Sequence, residues 1–443
     1  MSNSLGKTAT LLFVAQATVA FINLPATLLL ANSLGPEGLG SYQFLSRLAL
    51  MVISVGQLGY PHALSWAVTN SPSTNGSRIA FRSGVVVASV VGVTTCLGLL
   101  LYGAIIWPDS RYIWYGILAA YPAVNLLASN IANTYRGLLD VRRFSIIRIS
   151  QPVVYLLAIS TFYVIDALTV TVAVAALLAA QTVSCAAGLV LSIRQGMLKR
   201  PELPVAGVWR QRAEIRSFAR RVWPGLMVRD WNSYLDQLVV GVLLGPASLG
   251  IYAVAVSISA SLSLLGSPLT NATQPIVQRE TTLLGKQQAV GAILFASLAM
   301  LTLAALLLGI SSPFLIGLLL GADFAAVVPL LAVMVVAAVS DNLNAAMHGV
   351  LVGLGAPGKS SRNVVVGLMV NILCWTILLP TMGITGAAVT SLLSYFSVSV
   401  LMVKDVSSML GVRPRQLVVI AYRSRTTAWQ TLTQLLQVRR QRG

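Results

Sequence analysis

A nine-residue motif occurs twice in this chain. Leu34 and Leu244 each begin a copy that reads Leu-Gly-Pro-x-x-Leu-Gly-x-Tyr, and the copies lie 210 residues apart in a chain of 443. A second pair of identical residues has almost the same spacing, since Asn342 follows Asn130 by 212 residues. Two such repeats in register indicate an internal duplication. The chain is therefore predicted to fold as two similar halves.

The composition indicates where such a chain resides. It is 56% hydrophobic and only 9% charged, and its mean hydropathy is +0.81, whereas a soluble domain has about 25% charged residues. Apolar runs long enough to cross a bilayer as helices recur from end to end. The first run, residues 9–31, is too long for the core of a signal peptide and is predicted to stay as a membrane span. The sequence thus predicts an all-α polytopic membrane protein.

Twelve spans are predicted, six in each half. Pro313 is expected to end the ninth span, which leaves 311–325 unassigned. The predicted spans are 9–31, 41–69, 83–107, 112–134, 146–166, 168–191, 222–244, 249–273, 288–310, 327–352, 363–380 and 384–405.

The basic residues predict the orientation of these spans, because loops that stay in the cytoplasm retain most of the lysine and arginine. With the N-terminus inside, 27 of the 30 basic residues fall in cytoplasmic segments and only Arg111 falls in an outer loop. The protein is therefore expected in the cytoplasmic (inner) membrane, with both of its termini in the cytoplasm. The net charge of +18 then comes from basic residues spread along the cytoplasmic side of the membrane. This distribution argues against nucleic-acid binding.

The spans and charges together predict the domain limits. These are a six-helix lobe at 1–191, a basic cytoplasmic linker at 192–221, a second six-helix lobe at 222–405 and a basic tail at 406–443. Six spans per repeat is an even number, so the two lobes should be related by an axis along the membrane normal. The predicted fold has two pseudo-symmetric lobes around a central cavity.

Two basic segments also carry apolar stripes. Ile215, Phe218 and Val222 share a helical face in the linker, as in a helix that lies on an anionic leaflet. Trp429, Leu432 and Leu436 form a similar stripe in the tail. Both segments are expected to associate with membrane lipids.

Several motifs in both halves of the chain occur in one characteristic order. They are Leu34-Gly-Pro-Glu-Gly-Leu-Gly-Ser-Tyr42, Gly56-Gln-Leu-Gly-Tyr60, Gly353-Leu-Gly-Ala-Pro-Gly-Lys359, Asn371, Pro380 and Gly383-Ile-Thr-Gly-Ala-Ala388. Together they resemble the oligosaccharide flippases or polysaccharide transporters, a family that shares a superfamily with multidrug extrusion antiporters and lipid II flippases. The resemblance implies a V-shaped transporter that moves a polyprenyl-pyrophosphate-linked oligosaccharide to the outer leaflet by alternating access. It also implies polysaccharide assembly enzymes as candidate partners.

Five charged residues lie well inside the predicted spans, where an unpaired charge is costly and often functional, rather than at the ends of the spans. They are Arg47, Arg229, Asp230, Asp236 and Asp341. A pyrophosphate-linked lipid needs a cationic site, and arginine offers planar, bidentate donors, so Arg47 and Arg229 are the candidate substrate ligands. The three aspartates are candidates for a gate or for ion coupling. The alternative is that these charges pair and lock the helices together.

Helix arithmetic puts Arg47 and Asp236 at matching depths, each roughly 9 Å below the outer boundary of the membrane core. The two residues belong to different predicted lobes. A salt bridge between them is therefore predicted to close an outer gate. Without that bridge, Asp236 becomes a candidate proton or sodium site.

A phosphate-loop pattern at Gly353, Gly358, Lys359 and Ser360 is a chance match, because it bridges two predicted spans and no soluble domain accompanies it. It is expected to form a tight cytoplasmic turn. No cofactor or metal is predicted.

Three functions remain open. The first is a flippase for lipid-linked oligosaccharides, the second a cation-coupled exporter of small molecules, and the third a membrane polymerase or ligase of polysaccharide. An enzyme of the third kind would need a large outer loop with catalytic arginines or histidines, and the predicted outer loops are short. The flippase, which is not an enzyme, fits best.

Overall fold

The computed structural model describes residues 2–70, 73–106, 112–202 and 204–424. Every regular element in these ranges is a helix. The helices are α1 Ser2–Gly56, α2 Tyr60–Asn70, α3 Thr74–Ile106, α4 Tyr112–Gly137, α5 Val141–Val164, α6 Val170–Arg194, α7 Val205–Ala260, α8 Ser263–Arg279, α9 Leu283–Leu319, a 3-10 turn Ala322–Phe324, α10 Val327–Gly353, α11 Pro357–Met409 and α12 Pro414–Arg423.

Three of these helices are too long to be single membrane spans. α1, α7 and α11 contain 55, 56 and 53 residues, and a straight helix of that length would measure about 80 Å, more than twice the ~30 Å hydrocarbon core. Each contains one glycine with a non-helical backbone, namely Gly35, Gly245 and Gly383. All three have a positive φ, which glycine adopts without steric cost.

Side-chain contacts show that α7 and α11 turn back at these glycines. The Tyr252 hydroxyl donates to Asp236 Oδ2 at 2.8 Å across 16 residues, a separation of roughly 24 Å along a straight helix. In α11, Arg362 Nη2 lies 2.9 Å from Asp405 Oδ2. Gly35 repeats the conformation of Gly245, with φ/ψ of 63/−177° and 84/173°. The duplicated motif therefore builds the same turn twice.

With these turns counted, the helices supply twelve membrane crossings, as the sequence predicts. Eight of the described helices are long and apolar enough to cross a membrane, and three of those eight are the helices with turns. α4 supplies the twelfth crossing. This is a multi-pass membrane protein.

Two crossings predicted as continuous helices are broken. The second crossing is interrupted at Leu58 and Gly59, which have φ of 47° and 74°. The eighth is interrupted between α7 and α8 by a turn at Ser261 and Leu262. Hydropathy gives no signal for such breaks, because the residues on either side remain apolar.

The ninth crossing is longer than predicted, since α9 continues through Pro313 to Leu319. A proline inside a helix removes the hydrogen bond to the carbonyl four residues earlier, which here belongs to Gly309. Ser312 Oγ donates to that carbonyl at 2.8 Å. The freed carbonyl is satisfied, so the helix does not end.

By packing, the chain divides into two compact units, residues 1–253 and 254–443. The core of the second unit is a cluster that includes Val290, Met347, Val406 and Leu417. Leu417 belongs to α12, so this short helix at the start of the predicted tail packs on its own unit. The apolar stripe at 429–436 lies outside the described residues, and the predicted domain limits stay predictions.

In the first unit, the two copies of the duplicated motif pack directly against each other. A Cβ added at Gly40 would lie 1.7 Å from the Pro246 carbonyl oxygen, and one added at Gly250 would lie 1.9 Å from that of Pro36. The contact is reciprocal, because the last glycine of each motif meets the proline of the other. No side chain larger than hydrogen fits at either position.

The apolar stripe predicted to lie on the membrane packs on protein instead. The first part of α7, residues 205–221, buries Ile215 and Ala219 against α2, with 0% and 1% of their surface exposed. Phe218 stacks on Trp66 at 4.6 Å between ring centroids. The interpretation of this stripe as a lipid-bound face is therefore wrong. The break at Gly59 brings α2 so close that a Cβ there would lie 2.4 Å from the Ala219 carbonyl oxygen.

The orientation in the membrane can be tested with single cysteines in a variant lacking Cys96, Cys185 and Cys374. Lys199 lies between α6 and α7, and Asp323 lies in the 3-10 turn. We expect Asp323→Cys to react with an impermeant thiol reagent in intact cells and Lys199→Cys to react only after the membrane is opened, because basic loops stay inside. Strong labelling of Lys199→Cys in intact cells would contradict the predicted orientation.

Candidate functional site

A polar cavity lies within the first unit, among helices that cross the membrane. Its volume is about 280 Å³, close to the lower limit of about 300 Å³ for small-molecule sites. Five helices contribute to its wall. The lining residues are Leu50 and Ile53 of α1, Gln57 of the turn after α1, Tyr121, Asn125, Ala128, Ser129, Ala132 and Asn133 of α4, Ile147, Arg148 and Gln151 of α5, Gln181 and Ser184 of α6, and Asp230 and Tyr234 of α7.

Most of this wall can form hydrogen bonds. Asparagine and glutamine amides each offer two donors and an acceptor, and they come from α4, α5, α6 and the turn after α1. Polar side chains are rare between membrane helices because desolvation is costly, so a concentration of them usually surrounds a wet cavity with a function. The cavity is therefore the candidate substrate site.

Arg148 is the arginine that lines this cavity, and sequence reasoning missed its role. Its position near the start of the fifth predicted span assigned it to a cytoplasmic loop. In the structure it lies two turns inside α5, and its side chain is exposed. The spacing from Gln151, three residues along the same helix face, could have indicated a polar face directed into the protein.

Arg47 contacts α7 rather than the cavity. Its Nε donates to Gln237 Oε1 at 2.9 Å, and its guanidinium lies 5.8 Å from the ring centroid of Tyr234, which does line the cavity. Trp231 Nε1 adds a bond of 3.0 Å to Ser54 Oγ. These contacts hold the part of α1 that follows the turn at Gly35 against α7.

The predicted salt bridge between Arg47 and Asp236 is not among the ion pairs of the described residues. Gln237, the next residue, takes its place as the partner of Arg47. Depth in the membrane does not distinguish Asp236 from Gln237, because adjacent residues lie at nearly the same depth but point about 100° apart around a helix. The structure therefore corrects the partner of Arg47.

Asp236 is buried, with 4% of its surface exposed, and its carboxylate is already satisfied. Oδ2 accepts from the Tyr252 hydroxyl at 2.8 Å, and Oδ1 accepts from the backbone N–H of Gln237 at 2.7 Å. Tyr252 is the last residue of the second motif copy. In the first copy, Tyr42 is bonded to the Tyr155 hydroxyl at 2.6 Å instead. Asp236 thus serves as the hydrogen-bond acceptor for a buried tyrosine.

We expect Asp236→Asn to fold, because the amide oxygen can still accept from Tyr252, and Asp236→Leu to lose stability. A buried hydroxyl left without a partner costs about 1–3 kcal/mol. Thermal unfolding of the purified protein measures the difference. A fully stable Asp236→Leu protein with lost transport would contradict the structural role and favour ion coupling.

Arg229 and Asp230 are neighbours on α7 that face different surroundings. Asp230 lines the cavity, whereas the Arg229 side chain is 64% exposed, and Arg229 Nε lies 3.9 Å from Asp230 Oδ1. A pair this long and exposed contributes about 0–1 kcal/mol. Arg229 therefore remains available to a ligand.

Asp341 lies on α10 in the second unit with an exposed side chain.

The repeated asparagines Asn130 and Asn342 both have structural roles. Asn130 Nδ2 donates to the Gly84 carbonyl at 2.9 Å, and Asn342 Nδ2 donates to Ser263 Oγ at 3.2 Å.

The phosphate-loop pattern at 353–360 forms a tight turn, as predicted. Gly355 has φ of 85°, and the Ala356 amide donates to the Leu351 carbonyl at 2.8 Å. Ser360 is buried and pairs with His348 at 2.7 Å between Oγ and Nδ1. Its hydroxyl is therefore committed within the protein.

The fold is that of known transporters. An inward-facing multidrug resistance transporter of the MATE family, in the MOP superfamily, matches with a TM-score of 0.73 and 12% identity over 88% of this chain and 95% of that one. An outward-facing MATE transporter matches with a TM-score of 0.62 and 12% identity over 92% and 96%. A MOP-superfamily transporter from Pyrococcus furiosus matches with 0.61 and 12% over 92% and 95%.

No curated protein matches the chain in sequence. A family model does, and its description is polysaccharide biosynthesis protein. It covers residues 5–281, more than half of the chain and all of the cavity lining. The chain belongs to the polysaccharide biosynthesis protein family.

Proposed function

We propose that this protein is a flippase that moves a polyprenyl-pyrophosphate-linked oligosaccharide across the cytoplasmic membrane for surface polysaccharide synthesis. The observation that carries the proposal is the polar cavity with Arg148 in its wall, within a chain of a polysaccharide biosynthesis family. Alternating access is the proposed mode of movement, and assembly enzymes that build and consume the lipid-linked sugar are the proposed partners.

The chemistry of the wall suits such a substrate. A pyrophosphate cannot cross hydrocarbon unscreened, and a guanidinium binds it through two parallel N–H donors. Amide groups from three helices and from the turn after α1 can exchange hydrogen bonds with sugar hydroxyls. Arg148 is the proposed pyrophosphate ligand, with the exposed Arg229 on α7 as a second cation. Movement of this kind needs no covalent step, so the proposed activity is transport rather than catalysis.

Reconstitution tests the proposal directly. We expect the purified full chain in vesicles to expose a lipid-linked oligosaccharide to an external lectin faster than protein-free vesicles do. Arg229→Ala should lower that rate at least about tenfold, since a lost charge-assisted hydrogen bond costs about 1.5–3 kcal/mol. Arg47→Ala should also lower it, because the contact between α1 and α7 beside Tyr234 is lost.

Arg221→Ala is the matched control, because Arg221 donates to the Ser217 carbonyl on its own helix and lies outside the cavity lining. It should transport at the wild-type rate. Equal rates for the protein and for empty vesicles would reject the flippase proposal.

A cation-coupled exporter of small molecules is the second candidate, and Asp230 favours it. A carboxylate in a membrane cavity can carry a proton or sodium ion, and the related folds include multidrug transporters. Dye efflux driven by an imposed proton or sodium gradient, in vesicles that leave the lipid-linked sugar unmoved, would establish this function instead.

A further inference from the structure

A second cavity, separate from the polar one, lies where the first part of α7 meets α3 and the break in the second crossing. Its volume is about 420 Å³. It shares no lining residue with the polar cavity. We call it the α3–α7 groove, and its lining residues are Leu58, Tyr60, Val86, Val87, Val90, Val91, Arg216, Ala219, Arg220 and Trp223.

One wall of the groove is an apolar strip of α3. Val86 and Val90 are 57% and 60% exposed and lie one turn apart. Val87 and Val91 repeat the spacing beside them, so the strip extends about 8 Å along the helix. α3 is long and apolar enough to cross the membrane. The strip is therefore a surface that a hydrocarbon chain can cover.

The other wall carries two positive charges. Arg216 and Arg220 lie one turn apart on α7, and both are exposed. Neither forms an ion pair with a carboxylate in the described part of the chain. Tyr60, the first residue after the break, lines the groove beside them. Two arginines at this spacing match one phosphate group.

Trp223 adds an indole to the α7 wall of the groove. Its Nε1 is buried and has no hydrogen-bond partner in the described structure. An indole at a membrane interface combines an apolar ring with one donor. Trp223 therefore extends the apolar lining of the groove on the α7 side.

We propose that the α3–α7 groove binds one anionic phospholipid of the bilayer, with its phosphate between Arg216 and Arg220 and an acyl chain along Val86 and Val90. Charge complementarity selects this occupant, because a zwitterionic lipid would bring its own cation to the two arginines. The bound lipid would join α3 to the first part of α7, which continues as one helix to Asp230 in the polar cavity.

Native mass spectrometry of the purified full chain, titrated with phosphatidylglycerol or phosphatidylcholine, tests the site. Phosphatidylglycerol should be retained and phosphatidylcholine should not. The double variant Arg216→Ala, Arg220→Ala should bind phosphatidylglycerol about thirtyfold more weakly, which corresponds to about 2 kcal/mol for two arginines at a membrane surface. Val90→Trp should weaken binding as well, without any change of charge.

The matched control is Arg210→Ala, Arg221→Ala, which removes the same charge from the same segment outside the groove. It should retain phosphatidylglycerol. Equal loss in this control, or equal binding of phosphatidylcholine, overturns the proposal, as does undiminished binding by Val90→Trp. Displacement of phosphatidylglycerol by polyprenyl pyrophosphate would assign the groove to that lipid instead. If the arginine variant does not fold, Val90→Trp decides the matter.

Discussion

Gly40→Ala and Gly250→Ala are each expected to remove most of the folded protein from the membrane. The added methyl group would overlap the carbonyl oxygen of Pro246 or Pro36, at 1.7 or 1.9 Å, and a backbone atom cannot move aside as a flexible side chain can. Overpacking of this kind costs about 3 kcal/mol or more, a large share of a folding free energy of about 5–15 kcal/mol. Membrane protein level and thermal unfolding measure the effect.

Gly98→Ala is the control, because Gly98 lies in helix α3 and an added Cβ there has no neighbour within 4 Å. It should be neutral or gain up to about 1 kcal/mol from helix propensity. If Gly40→Ala were as stable as Gly98→Ala, the close contact between the motif copies would not exist in the membrane.

Arg148→Ala is expected to lose export of the polysaccharide while the amount of folded protein stays normal. Arg148 supplies the guanidinium of the polar cavity, and its exposed side chain makes a small contribution to packing. Export should fall at least about tenfold, for the loss of about 1.5–3 kcal/mol in charge-assisted hydrogen bonds. Arg148→Lys should restore only part, because a point charge does not reproduce the planar fork. Surface polysaccharide and membrane protein level are measured together.

Arg142→Ala provides the comparison, since Arg142 is exposed on the same helix six residues earlier and does not line the cavity. It should export normally. Equal loss in both variants would indicate a general need for positive charge on α5, and normal export by Arg148→Ala would remove this residue from substrate binding.

The number of crossings and the position of two of the hairpin turns could be predicted from the sequence. Hydropathy locates membrane helices because each must satisfy its own backbone in lipid, and the repeated glycine and proline mark Gly35 and Gly245 as matching turns. The breaks at Leu58 and Ser261 could not be predicted, because a break of two or three residues leaves the average hydropathy unchanged.

The candidate site was less accessible to sequence reasoning. Hydropathy does not distinguish Arg148 from a loop arginine, because a helix boundary known only to within several residues does not separate the two, and its spacing from Gln151 is the one local signal. The sequence identifies Asp230 as an intramembrane charge, but its place in the cavity depends on how α7 is rotated. The same rotation made Gln237, and not Asp236, the partner of Arg47.

The close contacts around α7 have a consequence for the connection between the two repeats. The first helix of the second repeat is held at Ala219 by the break at Gly59 and, just beyond its hairpin turn, at Gly250 by the motif of the first repeat. Both attachments lie in one compact unit. The stretch before α7 is attached to α3 as well, because Arg78 Nε donates to the Gly196 carbonyl and the Glu202 backbone amide donates to Asn75 Oδ1, each at 3.2 Å. The first helix of the second repeat is therefore part of the first compact unit, and the boundary between the units does not coincide with the boundary between the repeats.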